Sequence, residues 1–295
     1  MALGGPVVRQ HYVEFIRGTG VKLDGVVDGT STNGPWTWVV PKDVSQIFVT
    51  GVGAGGGGAG SATATPSARG SCGGASGLGV TFLACAVTPD KSLTVTVGAK
   101  GTGGATGNGT AGGATTITNL VYSPIDNTTT LDLKGGGLGG TAGAPTGACN
   151  IGSGPNAAAN AATPAAGSAS LQTGTWSPTD QRISACGGAS SGGASTTGSV
   201  NGANGGGVTT PHWLYSAMAN LHSGGTGDNT GTVSRSGGGC GAPSIMGYGG
   251  DGGDGGAAGS NATGYGSGGG GAGGGGAAGG NGADGYIGIF YWSAD

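Results

Sequence analysis

The sequence predicts a mainly β protein: a small antiparallel framework or sandwich, glycine-rich loops packed as polyglycine-II helices, and little or no α-helix. Three observations carry this. Between Gly247 and Gly285 the chain is almost pure glycine in three-residue steps, as in Gly249-Gly250-Asp251-Gly252-Gly253-Asp254. That period is neither helical (3.6) nor strand-like (2.0) but that of the polyproline II conformation. Residues 35–134 instead alternate apolar and polar residues between Gly and Pro turns, the signature of short strands. The chain then closes on another apolar run, Tyr286-Ile287-Gly288-Ile289-Phe290-Tyr291-Trp292.

Residues 1–34 have the most ordinary texture. They hold the only glutamate, Glu14, together with Arg9, Arg17 and Lys22, and the apolar pairs Tyr12-Val13 and Phe15-Ile16. The β framework follows over 35–134. Trp36, Trp38 and Val40 make a first strand, Pro41-Lys42-Asp43 a turn, and Ile47-Phe48-Val49 a second strand stopped at Gly51. Val80–Val87 is a third strand, Pro89-Asp90-Lys91 a turn, and Leu93–Gly98 alternates cleanly. Thr115–Thr118 and Thr130–Leu133 are shorter candidates. Residues 135–295 form the glycine-rich region, closed by the strand 286–292, which should pair with the early strands. The glycine segments bury no side chains, so their order must come from backbone hydrogen bonds between laterally packed helices. Each such bond is worth about 0.5–1.5 kcal/mol net, against an ordering cost of about 1–2 kcal/mol per residue, so the array has to be dense and firmly anchored on the β base.

Composition narrows the function. Of 295 residues 78 are glycine, only 12 are proline, 8% are charged, and the net charge is −3. The proline count is far below the collagen range, and the low charge argues against disorder. Beyond Lys134 the only basic residues are Arg182 and Arg235, so no basic face for nucleic acid is expected. No apolar run reaches the roughly 20 residues a membrane span needs, and no membrane insertion is expected; the N-terminus shows no secretory leader. Cys72, Cys85, Cys149, Cys186 and Cys240 lack any Cys-x-x-Cys and are expected to be mostly reduced or buried.

Chemistry-bearing motifs are weak. Gly51-Val52-Gly53-Ala54-Gly55-Gly56 fits the dinucleotide pattern after a strand, but no helix follows, so no nucleotide or other cofactor is expected. Gly249–Asp254 and Gly279–Asp284 fit a calcium nonapeptide. In a polyproline II helix Asp251 and Asp254 would stand about 9 Å apart on one edge, too far for shared coordination at 2.3–2.6 Å. Asp251, Asp254 and Asp284 therefore remain only a weak alternative metal set. With three histidines and one glutamate, no catalytic residues and no enzymatic activity are expected.

The framework motifs carry a resemblance. Trp36-Thr37-Trp38-Val39-Val40-Pro41, Ile47-Phe48-Val49-Thr50-Gly51-Val52-Gly53-Ala54-Gly55-Gly56-Gly57-Gly58, Val87-Thr88-Pro89 with Leu93–Ala99, and Gly285–Ile289 together resemble the glycine-rich domain of bacteriophage tail-fibre proteins. The Gly-Gly-X tracts are similar to the tip adhesins of T-even-type long tail fibres, whose distal domain is a sandwich of polyglycine-II helices. The motifs cover about 35–134 and 247–292. The resemblance implies a virion protein at a tail or tail fibre, made in the host cytoplasm, that binds a bacterial surface receptor (a glycan or an outer-membrane protein) through variable loops. It implies attachment to other tail-fibre or baseplate proteins through residues 1–34, and a chain that is trimeric or caps a trimeric fibre. A purely structural virion spike is the alternative. The receptor-facing candidates are the bulky residues of the glycine-rich half: Trp176, Asp180 and Arg182 in one cluster, His212, Trp213 and Tyr215 in a second, and Tyr248 and Tyr265 where they interrupt glycine tracts. In the second cluster, a small satellite core of Trp213, Leu214, Met218 and Leu221 stays equally open, supported by the helical spacing of the last three.

Overall fold

The computed structural model describes residues 8–27, 32–61, 70–124, 128–140 and 237–294, plus the backbone of five two-residue strands elsewhere. In chain order the strands are β1 (Val8–Ile16), β2 (Gly20–Leu23), β3 (Val26–Val27), β4 (Trp36–Val39), β5 (Gln46–Val52) and β6 (Ser67–Ala68). Then come β7 (Gly79–Ala86), β8 (Ser92–Thr96), β9 (Thr115–Thr118), β10 (Leu131–Leu133), β11 (Trp176–Ser177) and β12 (Arg182–Ile183). Last are β13 (Asp228–Asn229), β14 (Ser234–Arg235), β15 (Met246–Tyr248), β16 (Thr263–Tyr265) and β17 (Tyr286–Ala294). The fold is all-β, with no helix among the described residues.

Two sheets face each other. One is eight-stranded, in the order β11-β12-β7-β5-β17-β1-β2-β3; the other is four-stranded, β10-β9-β8-β4. Alternation along each strand sends one set of side chains inward. Val13 and Phe15 of β1, Ile47 and Val49 of β5, Leu83 and Cys85 of β7, and Ile287, Ile289 and Tyr291 of β17 meet Trp36, Leu93, Val95, Ile117, Leu131 and Leu133 of the smaller sheet in one core. Each large side chain fully buried there stabilises by about 1.5–3 kcal/mol. As expected, the closing strand pairs with an early one, Ile289 opposite Val49 of β5. Its other edge pairs with β1, Val13 opposite Ile289 and Phe15 opposite Ile287. Residues 8–27 are thus built into the main sheet and its core; the change of texture near residue 34 is not a break in packing.

Beyond one end of the sandwich the strands run on as polyglycine-II segments. Chain leaves the sheets from β5 into 53–61, from β8 into 98–104 and from β10 into 134–140; it returns through 71–78 into β7, 107–113 into β9 and 277–285 into β17. The backbone bonds of 53–61 have a strict period of three. Gly53, Gly56 and Ala59 donate to Leu78, Ala75 and Cys72; Ala54, Gly57 and Gly60 donate to Gly113, Thr110 and Gly107; Gly55, Gly58 and Ser61 donate to Ala283, Gly280 and Ala277. Its carbonyls accept in the same rhythm, Ala54 and Gly57 from Gly136 and Gly139, Gly55 and Gly58 from Gly101 and Gly104, Gly56 and Ala59 from Gly269 and Ala272. Three segments accepting and three donating give this segment six neighbours, the hexagonal packing that a threefold helix permits. Segment 266–273 is bonded likewise, to 239–242, 56–59, 250–253, 257–260, 71–77 and 280–283.

Packing explains the glycines. A β-carbon at Gly56 would lie far inside van der Waals contact with the Gly137 carbonyl oxygen, one at Gly58 with that of Gly270, and one at Gly273 with that of Asp254. Alanine is admitted at Ala54, Ala59, Ala75, Ala242 and Ala272, all buried, where the lattice leaves room for one carbon. The dinucleotide-like run Gly51–Gly56 lies where β5 becomes the central segment, with no helix after it.

The described cysteines, Cys72, Cys85 and Cys240, are all buried, in line with the expectation. Cys85 is a free, buried thiol, and burial pushes it up to about 12. Cys72, inside the array, is disulfide-bonded. No helix of the described residues is long and apolar enough to cross a membrane.

Candidate functional site

The direction of each segment fixes which residues lie at the far end of the array. Segments 53–61, 98–104, 134–140, 249–254 and 266–273 run away from the sandwich, and 71–78, 107–113, 237–242, 257–262 and 277–285 run back. The turns between them at 105–106, 255–256 and 274–276 therefore gather at the end opposite the sheets. The array segment 134–140 ends, and segment 237–242 begins, at that same end. These two flanks of 141–236 are neighbours, because Cys72 N–H donates to Gly140 O while Gly239 N–H donates to Ser71 O.

Along its side the array is finished by polar side chains at three-residue spacing. Lys100 N–H donates to Asp284 Oδ1 (2.8 Å) and Gly103 N–H to Asn281 Oδ1 (2.9 Å), while Asn281 N–H donates to Asn261 Oδ1 (2.8 Å). These carboxylate and amide oxygens stand in for backbone carbonyls where the lattice ends. Asp284 thus has a structural task, with Arg17 Nε also 3.9 Å away. Asp251 and Asp254 are exposed on a neighbouring outgoing segment, and their carbonyls accept from Ser260 and Ala257. Asp284 stands at the sheet end and Asp254 at the far end, and no group of three or more His, Cys, Asp or Glu comes together among the described residues.

The sequence-selected receptor residues fall in different places. Trp176 and Arg182 lie on β11 and β12, a hairpin with Trp176 opposite Ile183 and Ser177 opposite Arg182. It extends the edge of the large sheet, Arg182 opposite Val80 and Ile183 opposite Gly79. Asp180, His212, Trp213 and Tyr215 lie outside the described residues, as does the 211–222 stretch. Tyr248 and Tyr265 lie on the β15–β16 hairpin, Tyr248 opposite Thr263 and Met246 opposite Tyr265. This hairpin sits at the sandwich end, not at the tips. Tyr248 is 44% exposed. Tyr265 packs on Tyr286 (4.9 Å between ring centroids) and, with Ile245 and Met246, covers Ile16 and Val52; burial raises its phenol.

From Tyr286 an aromatic band that the sequence reading did not single out crosses the outer face of the large sheet. The Tyr286 hydroxyl donates to Glu14 Oε1 (2.7 Å) and hydrogen-bonds the Tyr12 hydroxyl; burial raises both phenols. The Tyr12 ring stacks on Phe290 (4.1 Å, 26°), Phe290 stacks on Phe82 (5.0 Å, 18°), and Phe48 meets Trp292 edge-on (5.4 Å, 89°). Phe82 sits at a β-bulge between β5 and β7 with φ +50°, a left-handed backbone that a bulky residue seldom adopts. Its N–H donates to Thr50 Oγ1 (3.1 Å), which holds the bulge and directs the ring outward. The signal in the sequence was phase: Phe48, Phe290 and Trp292 occupy the positions between the inward Ile47, Val49, Ile287, Ile289 and Tyr291.

A model of the glycine-rich domain family matches residues 30–292. The chain belongs to that family. No curated protein matches it. The glycine-rich domain so delimited includes β4 to β17 and the whole array, and leaves out β1 to β3. Those three strands are added to the free edge of β17 and carry Tyr12 and Glu14 of the aromatic band.

Proposed function

We propose that this glycine-rich domain protein is an adhesin of a bacteriophage tail fibre or tail tip, which binds a bacterial surface receptor through segments displayed at the far end of its array. The observation that carries this reading is the one-ended architecture. Among the described residues the large exposed apolar side chains, including Val8, Phe82, Tyr122 and Trp292, gather on the sandwich, which so has the character of an attachment end. The turns and both flanks of 141–236 lie at the other end, on a scaffold whose cross-links hold them in place. Residues 1–34 then supply attachment to the virion, through strands that lie beside the matched family domain and not within it. Recognition of a glycan or outer-membrane protein falls to 141–236, with Asp180, His212, Trp213 and Tyr215 as first candidates, whereas Trp176 and Arg182, on the hairpin beside β7, belong to the sandwich end.

The test uses the closeness of the flanks. Replacing 141–236 by a short Gly-Ser linker should leave the array cooperative in thermal unfolding and abolish adsorption of the purified protein to the host bacterium. Retained adsorption by that variant would place recognition elsewhere. A wild-type protein that host cells ignore would favour a structural spike.

A further inference from the structure

We infer that the three-stranded sheet β13-β14-β6 is a binding site for a neutral, hydroxyl-rich sugar unit. This rests on the adhesin reading above and gives it a ligand class and a set of residues. Strand β6 lies between the end of the outgoing segment 53–61 and the start of the returning segment 71–78, which puts it at the far end of the array. Ser71 Oγ donates to Gly60 O (2.9 Å) and ties these two legs together at its foot. Strand β14 pairs with β6 in parallel, Ser234 opposite Ser67 and Arg235 opposite Ala68. Strand β13 pairs with β14 antiparallel, Asp228 opposite Arg235 and Asn229 opposite Ser234. Register partners share a face of a sheet. One face therefore holds the row Asp228-Arg235-Ala68 and the other the row Asn229-Ser234-Ser67, each gathered from segments distant in the sequence.

Residue type decides the ligand class. Every position but Ala68 carries a hydrogen-bonding group, and none carries a large apolar or aromatic one. A protein partner needs such an anchor at the centre of the contact. Size points the same way: three strands about 4.8 Å apart, each two residues long at about 3.3 Å, span only roughly 100 Å². A stable protein interface takes roughly 800 Å² per partner. Charge excludes an anion, because Asp228 and Arg235 stand opposite each other and sum to zero. A carboxylate only accepts hydrogen bonds and a guanidinium only donates them, whereas adjacent sugar hydroxyls do both. Bonds to charged groups are about twice as strong as neutral ones, so the row with Asp228 and Arg235 is the binding row. A cross-strand ion pair that merely steadies the hairpin predicts a different outcome when the pair is exchanged.

The test is binding of the full chain to delipidated surface polysaccharide of the host bacterium, beside detergent-solubilised outer-membrane protein from the same cells. The polysaccharide should retain the chain and the membrane protein should not. Binding should change less than about twofold between roughly 0.05 and 0.5 M salt, since no net charge is screened. Asp228→Asn and Arg235→Gln should each weaken it about tenfold or more, as expected for a lost bond to a charged group, with the thermal transition unchanged. Ser67→Ala with Asn229→Ala, on the other face, should leave it within about twofold of the wild type. Exchanging the pair, Asp228→Arg with Arg235→Asp, keeps the ion pair but reverses donor and acceptor, so binding should stay as weak as in the single variants. Recovery by the exchange would make the pair structural and overturn the site. Retention by the membrane protein alone, or a steep loss of binding with salt, would overturn the sugar site and leave the adhesin reading standing. A wild-type chain that adsorbs to no host cell would overturn both.

Discussion

A single carbon atom separates the glycines this array needs from those it merely contains. At Gly56 an added β-carbon would collide with the backbone carbonyl of Gly137, which cannot move without breaking the lattice, whereas at Gly107 nothing lies within 4 Å. Gly56→Ala should therefore cost about 2–4 kcal/mol, toward the upper end of overpacking effects. Gly107→Ala should be neutral or stabilising by up to about 1 kcal/mol, because it reduces the freedom of the unfolded chain. Chemical denaturation of the two variants checks both, and equal tolerance would mean that Gly56 is not packed as described. At the other end of the molecule, the Asp24 carboxylate accepts from Tyr12 N–H (2.8 Å) and pairs with His11 Nδ1 (3.0 Å). Chiefly the backbone bond, and then His11, lower its pKa. A carboxyl with a lower pKa in the folded than in the unfolded state stabilises above the unfolded value, and that contribution is lost as the pH falls through the folded one. Asp24→Asn should thus lower the melting temperature at pH 7 and lose its effect in strong acid. A difference constant with pH would rule out that linkage.

At the level of elements, the strands of the framework were legible because Ile47, Val49, Leu93, Val95 and Ile117 keep a clean two-residue period between Gly and Pro turns. The closing strand was legible for the same reason. Strand β1 was not, since Arg9, Gln10, His11 and Glu14 break its apolar pattern, and only its pairing with β17 and β2 makes the inward Val13 and Phe15 visible as core. Removing residues 1–34 should accordingly do more than abolish the attachment proposed for them. It strips the free edge of β17 and deletes Val13, Phe15 and Val21 from the core, so the truncated chain should aggregate or lose its cooperative transition. The milder Phe15→Ala should cost about 3–5 kcal/mol. A truncated chain that melts like the full one would make β1 to β3 an independent appendage. The three-residue period told which segments form the array but not their partners. Partners depend on where each strand leaves the sandwich, and that is fixed by pairings such as Ile289 with Val49, made across more than two hundred residues.

For the whole molecule, a sandwich of conventional side-chain packing anchors a lattice that has almost no side chains. Each array segment is short, and its backbone bonds alone roughly balance the entropy of ordering it. Continuity with strands such as β5, β7 and β17 supplies the remainder and sets the direction of every turn. The candidate site was only partly legible on that account. Tyr248 and Tyr265 interrupt glycine tracts, yet they lie beside the sheet and not at the tips, because β15 and β16 pair at the sandwich end while the chain between them, 249–262, runs out to the far end and back. The aromatic band depended on the phase of strands whose neighbours were unknown. The claim on which the rest depends is that 53–61 is a hydrogen-bonded polyglycine-II segment at the centre of the molecule, and amide hydrogen exchange followed residue by residue tests it most directly. If the lattice is as described, all consecutive amides from Gly53 to Ser61 exchange slowly, since each donates to a neighbouring backbone, without the alternation of a sheet edge. Exchange of those amides at the rate of an unstructured chain would contradict it.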